Sequence, residues 1–331
     1  MDRVVLGKII DKFNSVKNWL ILCHENPDGD TMGCGLALYS LGKRLGRNVR
    51  VMGRDPIPER YWFLPYYREF ECCREITEED ARDALLVCVD TSTAARSMPG
   101  LKDVLPLADS INIDHHGDNH LFCRLNLVDP EVSASAEIIT ELLIEGGWGI
   151  EEKEAVCLYT GLSTDNGNFR FAATTARTHL CAARLLDAGV KPALIDEYVN
   201  ENMTPAILKL WGVAYTRTET FSNGRGAIFW LRKEDFEKAG ADLSAVDGLV
   251  NMLLRITGVK IALFLTEVNG ENKLSIRTKS PFTARDIASP YGGGGHLQAA
   301  GAKLDGKFED VLKYVRVEAE KYIADRTAAL K

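Results

Sequence analysis

The sequence predicts an α/β protein: a doubly wound, mostly parallel sheet in the first part of the chain, followed by a second, smaller α+β domain. Three observations lead there. Short apolar runs alternate with stretches of helical period as far as residue 187; hairpin signals replace that alternation beyond residue 212; and charge and cysteine content change between the same two regions. Short apolar strands alternating with helices are the signature of a parallel sheet covered on both faces.

Helical periodicity marks residues 2–18, 30–46, 133–146, 151–163 and 174–187. Between these stretches lie Leu20–Cys23, Val49–Met52, Ala84–Val89 and Ile111–Ile113, long enough for strands and too short for helices. From 186 to 212 the pattern is helical and polar, with Pro192 and Pro205 where first turns would begin, positions at which a missing N–H leaves nothing unpaired. Beyond this linker, Val213–Phe221 and Ala227–Leu231 flank Ser222-Asn223-Gly224-Arg225-Gly226. Val259–Thr266 and Lys273–Thr278 flank Asn269-Gly270, a dipeptide suited to the positive φ of a tight hairpin. Helical patterns at 245–255 and 307–327 complete the second domain. The expected organisation is an α/β domain over 1–185, a helical linker over 186–212 and a smaller α+β domain over 213–331.

The chain has 331 residues, enough for two cores, and its 46% hydrophobic content excludes a disordered chain. No apolar run approaches the ~18 residues of a membrane span, and the first fourteen residues mix acids and bases as an amphipathic helix does, so neither a membrane anchor nor a signal peptide is expected. The net charge of -7 argues against tight binding of long nucleic acid. It is unevenly spread: residues 1–212 hold 22 Lys+Arg against 32 Asp+Glu, whereas residues 213–331 hold 18 against 15. All 8 cysteines lie in the acidic part and none forms a C-x-x-C pair, which favours free thiols in a reducing cytoplasm over disulfides or structural zinc.

The first chemical constellation is His24-Glu25-Asn26-Pro27-Asp28-Gly29-Asp30, after one expected strand and before a helix. In an open α/β sheet, ligands bind beyond the carboxyl ends of the strands. By itself this segment reads equally as a turn, with Asp30 as a helix cap. Two more strands end the same way, Ala84–Val89 in Asp90 and Ile111–Ile113 in Asp114-His115-His116, and Asp165 follows the helical stretch 151–163. Carboxylates with a minority of imidazoles suit Mn or Mg better than zinc, and their number suits two ions bridged by a shared carboxylate, an arrangement that activates water for in-line displacement at phosphorus. In the basic part, Gly292-Gly293-Gly294-Gly295-His296 lets backbone N–H groups approach an anion and is expected to enter a helix N-terminus; Arg255, Arg277 and Arg285 share its domain. No Lys-Ser or Lys-Thr follows, so it is not a P-loop. Trp62, Phe63, Tyr66 and Tyr67 could stack bases, but their spacing favours core, and His120 and His179 read as structural or exposed.

In order and spacing, His24-x-x-x-Asp28-x-Asp30, Asp90, Asp114-His115-His116, Asp165 and the Gly-Gly-Gly-Gly-His run resemble the motifs of the DHH phosphoesterase family with its DHH-associated C-terminal domain, over nearly the whole chain. The two-domain length is most similar to the branch that degrades very short oligoribonucleotides (nanoRNA) and removes the 3'-phosphate of 3'-phosphoadenosine 5'-phosphate (pAp). The resemblance implies that His24 and Asp28 hold one divalent ion, that Asp30, His115 and Asp165 hold another, and that Asp90 bridges them, Mn being preferred to Mg. It also implies that His116 contacts the scissile phosphate and assists the leaving group and that Asp114 orients the imidazoles. Arg277 and His296 match substrate-binding positions, with Gly293, Gly294, Gly295 and Arg255 grouped beside them. A short RNA or a nucleoside bisphosphate is then the expected substrate and a homodimer is compatible, with no membrane partner. Thr93 and Asn166 depart from the family pattern without replacing a ligand. The alternatives are hydrolysis of linear or cyclic dinucleotides, pyrophosphate or polyphosphate at the same site, or a nucleotide-binding sensor that keeps the fold.

Overall fold

The computed structural model describes residues 2–201, 203–246, 248–268, 270–295 and 297–329. The chain divides into two compact units, Met1–Asn202 and Met203–Lys331. Expected linker residues are shared between them, since the helix starting at Pro192 falls in the first unit and the helix starting at Pro205 in the second.

The first unit is built on six parallel strands, β1 (Asn18–Leu22), β2 (Asn48–Gly53), β3 (Phe70–Cys72), β4 (Ala84–Val89), β5 (Asp109–Asp114) and β6 (Leu125–Val128). Their order is β3-β2-β1-β4-β5-β6, with Leu20 facing Arg50 on one side and Leu86 on the other. The helices are α1 (Arg3–Ser15), α2 (Gly29–Arg44), the short α3 (Glu78–Ala81), α4 (Ala94–Ser97) and α5 (Leu101–Val104), then α6 (Ser135–Glu145), α7 (Glu152–Asp165), α8 (Ala176–Asp187) and α9 (Pro192–Asn200). Successive residues of a strand point to opposite faces. Trp19, Ile21, Val87 and Ile111 therefore enter the core with α1, α2, α6 and α7, while Leu20, Leu22, Leu86 and Cys88 pack against the short helices. Each such fully buried aliphatic side chain is worth roughly 1.5–3 kcal/mol relative to exposure. The strand order runs outward in opposite directions from β1 and β4, a switch point that opens a crevice beyond their carboxyl ends.

Helix α2 is buried from Gly29 to Gly42 because small residues line it. A side chain at Gly33 would collide with the Cys157 carbonyl of α7, so these two helices touch backbone to backbone. The close approach continues to the site, where a Cβ at Gly29, the start of α2, would collide with the Thr164 side chain near the end of α7.

The second unit carries a mixed sheet of order β11-β12-β10-β9-β8-β7. Its strands are β7 (Glu219–Phe221), β8 (Gly226–Leu231), β9 (Ile261–Val268), β10 (Glu271–Thr278), β11 (Gly294–Gly295) and β12 (Ala299–Leu304); β8 and β9 are parallel and the other pairs antiparallel. Leu263, Leu265, Leu274 and Ile276 form a core with α12 (Ala284–Ala288) and α13 (Phe308–Ala329). Ala227, Phe229, Ala262 and Phe264 form another with α10 (Pro205–Thr216) and α11 (Lys233–Ala239).

The structure corrects four local expectations. Strand 213–221 is only 219–221, because α10 continues to Thr216 with Leu210 and Ala214 buried four residues apart. The helical pattern at 245–255 forms two 3-10 segments, Leu243–Val246 and Leu249–Arg255, the second preceded by Gly248 at φ 74°. Strands β3 and β6 carry no expected signal, being short and only partly apolar. The four glycines lead into strand β12 and not into a helix. Among the described residues, no helix is long and apolar enough to cross a membrane. All eight cysteines are free; six are buried, while Cys72 is exposed and Cys73 half-buried.

Candidate metal centre

Three strand ends and the ends of two helices converge in the first unit. His24 lies just beyond β1, Asp90 directly follows β4, Asp114 closes β5 with His115 and His116 after it, Asp28 and Asp30 open α2, and Asp165 ends α7. Three triads of ligand atoms result, each with its members within 4.8 Å of one another: His24, Asp28 and Asp90; Asp30, His115 and Asp165; and Asp90, His115 and His116.

Asp90 occupies the middle. It is buried, and its backbone sits at φ 54°, a left-handed conformation that Asp tolerates better than most residues. Its N–H donates to the Ile113 carbonyl at 2.8 Å, so the turn after β4 is tied to β5. Oδ2 of Asp90 is 3.5 Å from His24 Nε2, and Oδ1 is 3.6 Å from His115 Nε2. The two oxygens of one carboxylate thus face two different imidazoles. Asp28 Oδ1 is 3.6 Å from His24 Nε2, and Asp165 Oδ2 is 3.2 Å from His115 Nε2.

Three of the candidate ligand side chains, His24, Asp28 and Asp30, are held by further hydrogen bonds. His24 Nδ1 donates to the Glu25 carbonyl at 2.6 Å, which fixes the tautomer and turns Nε2 toward the carboxylates. Asp28, and not Asp30, caps α2, accepting from the N–H groups of Asp30 and Thr31. Asp30 is completely buried and serves a different helix: its oxygens accept from Ser135 N–H at 2.6 Å and Ala136 N–H at 3.0 Å at the start of α6. Asp114 accepts from His116 Nδ1 at 2.7 Å and from Asn119 Nδ2 at 2.6 Å. Thr31 Oγ1 accepts from His24 N–H and donates to the Val89 carbonyl, linking β1 to β4.

Thr31, Asn119 and Ser135 escape the sequence reading. Asn119 carries a weak signal, three residues past His116; Ser135 carries none, because its partners lie 45 and 105 residues away. Thr93 caps α4 through the Arg96 N–H, and Asn166 Oδ1 accepts from Phe169 N–H, so both departures from the family pattern have local structural roles. Phe63, Tyr66 and Tyr67 pack against the core, whereas Trp62 is half exposed and stacks on Tyr67.

Crowded carboxylates leave this centre electrostatically unbalanced. Burial, reinforced by Asp90, Asp165 and Asp28, pushes the Asp30 carboxyl far above its ordinary range. Burial also raises Asp165 to about 7, with His115 opposing and Asp90 and Asp28 adding to the rise. Burial would raise Asp28 too, but His24 and the capping N–H groups hold it below its usual value. For His24, burial works to lower the imidazole, yet Asp28 and Asp90 carry it up to about 10. His116 rises to about 9, chiefly through its hydrogen bond to Asp114. A surplus of negative charge shared by imidazoles and carboxylates, with no thiolate in the triads, matches the donor preferences of Mn or Mg.

In the second unit, Arg277 lies on β10 and pairs in register with Ala299 of β12, whose next residue, Ala300, faces Gly295 of β11. Arg277 borders a cavity of about 340 Å³ lined also by Lys273, Ser275, Thr266, Phe264 and the 3-10 segments. Burial lowers its pKa, as expected of a cation held away from water, and its Nη1 donates only to the adjacent Ile276 carbonyl among the hydrogen bonds described. Gly293 and Gly295 are required for packing, because a Cβ on either would strike the backbone of β12, and Gly294 between them faces open space. Arg255 ends the second 3-10 segment, where its charge acts on Tyr215 of α10. His296 lies outside the described residues.

The DHH family N-terminal domain is matched over residues 18–162 and the DHHA1 domain over residues 224–323. The chain belongs to the DHH phosphoesterase family. It is 34% identical over 304 residues, 90% of this chain and 89% of the relative, to the bifunctional oligoribonuclease and PAP phosphatase NrnA of Thermus thermophilus. It is 28% identical to the protein of the same name from Bacillus subtilis, with 91% of each chain covered. Among solved structures it resembles an exopolyphosphatase-related protein of Bacteroides fragilis, with a TM-score of 0.91, 26% identity and 97% of each chain covered.

Proposed function

We propose that the chain is a two-metal phosphoesterase that hydrolyses short oligoribonucleotides to mononucleotides and removes the 3'-phosphate of pAp. One observation carries the reading: the two oxygens of Asp90 face His24 and His115, each within its own triad of ligands. His24, Asp28 and Asp90 would hold one divalent ion, and Asp30, His115, Asp165 and Asp90 the other. When bound, such a pair supplies charge to an in-line displacement and lowers the pKa of a water. Relatives named for both activities, one of them 34% identical, support the substrate class.

Both substrates present the same bond. In a short RNA, water adds to a phosphodiester phosphorus and the ribose 3'-oxygen departs; in pAp, water adds to the 3'-phosphate and again the 3'-oxygen departs. A single arrangement of residues serves both if it recognises the phosphorus and its 3'-oxygen. His116, its ring fixed through Nδ1 by Asp114, contacts the phosphate and donates a proton to the departing oxygen. Asn119 holds Asp114 for that purpose. Arg277, with His296 and the backbone of the glycine run, binds the remaining nucleotide or its phosphate, and a site built for a terminal group favours substrates of a few residues.

The test is to load the chain with Mn, supply 5'-labelled di- to pentanucleotides and pAp, and identify the products. Mononucleotides from the oligomers and phosphate from pAp are expected. A second reading rests on the likeness to the exopolyphosphatase-related protein. Phosphate released from polyphosphate or pyrophosphate, with pAp untouched, would replace the first reading by that one.

A further inference from the structure

We infer that Ser135 is a positioning residue for the two-ion centre, holding the bridging carboxylate in the orientation that lets it serve both ions. The inference rests on the two-metal reading above and goes beyond it, because Ser135 is not among the ligands.

Two carboxylates from different elements meet one helix end. The backbone N–H groups of Ser135 and Ala136 donate to the two oxygens of Asp30, and Ser135 Oγ donates to Asp90 Oδ1 at 2.9 Å. Ser135 is fully buried, so neither bond is shared with water. A carboxylate rotates readily about its terminal torsion, which is broad for Asp. Asp90 must present Oδ2 to His24 and Oδ1 to His115 at the same time, and the Ser135 hydroxyl is the described group that donates to one of those oxygens and not the other. With the hydroxyl gone, rotation about that torsion moves both oxygens off their imidazoles together.

The helix end is itself anchored. Glu137 Oε1, buried two residues further on, accepts from Ser133 N–H at 3.0 Å, Ser133 Oγ at 2.6 Å and Thr178 Oγ1 at 2.8 Å. The turn that carries Ser135 is thereby fastened to α8, remote from the ligands. Positional error at Asp90 is limited by this chain of bonds and by the backbone tie to Ile113.

The experiment measures Mn binding to the full chain by calorimetry and by the electron paramagnetic resonance signal of free Mn, with thermal unfolding of each metal-free variant recorded alongside. Ser135→Ala keeps both amide bonds to Asp30 and removes only the hydroxyl. Outer groups that orient metal ligands typically contribute roughly 10–100-fold in affinity. At least one of the two Mn ions is therefore expected to bind 10–100-fold more weakly to Ser135→Ala. Thr140→Val removes another buried hydroxyl of α6, one that donates to the Ala136 carbonyl, and is expected to bind Mn as the unmodified chain does. Two ions bound by the unmodified chain and bound within twofold as tightly by Ser135→Ala would overturn the role of Ser135 and leave the two-metal reading standing. An equal weakening in Thr140→Val would also overturn it, by assigning the effect to the helix as a whole. Fewer than two ions on the unmodified chain would remove both readings together.

Discussion

Replacing Gly161 with alanine tests whether the close approach of α2 and α7 positions the ligands. A Cβ at Gly161 would stand 2.6 Å from Asp30 Oδ1, 3.1 Å from Asp30 Cα and 3.2 Å from Ala136 Cβ. The carboxylate cannot simply swing aside, since both of its oxygens are bonded to the start of α6. To reach ordinary contact at 3.4 Å it must retreat by about 0.8 Å, or the helices must part by a similar amount. Overpacking of this kind costs about 1–3 kcal/mol, while alanine in place of a helical glycine returns about 1 kcal/mol. The net destabilisation is then roughly 0–2 kcal/mol, a fall in Tm of up to about 8 °C for a unit of this size. Activity responds more steeply, because a displacement near 1 Å in a catalytic constellation is associated with roughly 10²-fold loss. The assay pairs thermal unfolding with Mn affinity and turnover of a labelled dinucleotide. Gly7→Ala on α1 is the control: nothing lies within 4 Å of its new Cβ, so stability is expected to rise by about 0.5–1 kcal/mol with turnover unchanged. Turnover and Mn affinity in Gly161→Ala equal to those of the unmodified chain would refute the argument that this contact sets the position of Asp30.

Asp90→Asn is expected to abolish nearly all Mn-dependent hydrolysis while leaving the far-ultraviolet circular dichroism intact; unmodified turnover would remove the bridging role. His296→Ala is expected to raise KM with little change in kcat, and an equal loss in kcat at saturation would place His296 in the chemistry. The metal-free chain is expected to lose stability between pH 6 and 9. Asp165 is raised to about 7 and His24 to about 10, so through this window the folded centre holds more protons than the unfolded chain, and that stabilising contribution is lost as pH rises. Thermal unfolding in a chelator checks this: a Tm that climbs steadily from pH 6 to 9 would contradict it, and saturating Mn should flatten the decline.

What could be read in advance follows from which interactions are local. Apolar strands of five or six residues, such as Ala84–Val89, announce themselves, and each delivers its terminal Asp or His by chain continuity. Strand β3, Phe70–Cys72, does not, because pairing with β2 at the sheet edge and not its own composition makes it a strand. The glycine run misleads for a related reason. A helix start and a closely packed strand both call for residues without Cβ, and only the neighbouring β12 shows which demand is being met. Asp30 is equally instructive. Its place in a helix start suggests a cap, yet the helix it caps is α6, more than a hundred residues away. Within the centre, the chemistry of the candidate ligands is visible from residue type, whereas Ser135 reaches Asp90 only when segments 45 residues apart are brought together, and Asn119, five residues past Asp114, is local but only weakly marked.

The left-handed backbone at Asp90 has a consequence for how this protein can change over time. Few side chains accept that conformation without strain, and asparagine is the one that also matches aspartate in shape. Asp90→Asn, expected to abolish hydrolysis, is therefore expected to be among the least damaging substitutions to the fold, and a single nucleotide change produces it. A lineage could lose turnover in one step while retaining a folded, substrate-sized site, ready to be selected as a receptor for the molecules it once cleaved.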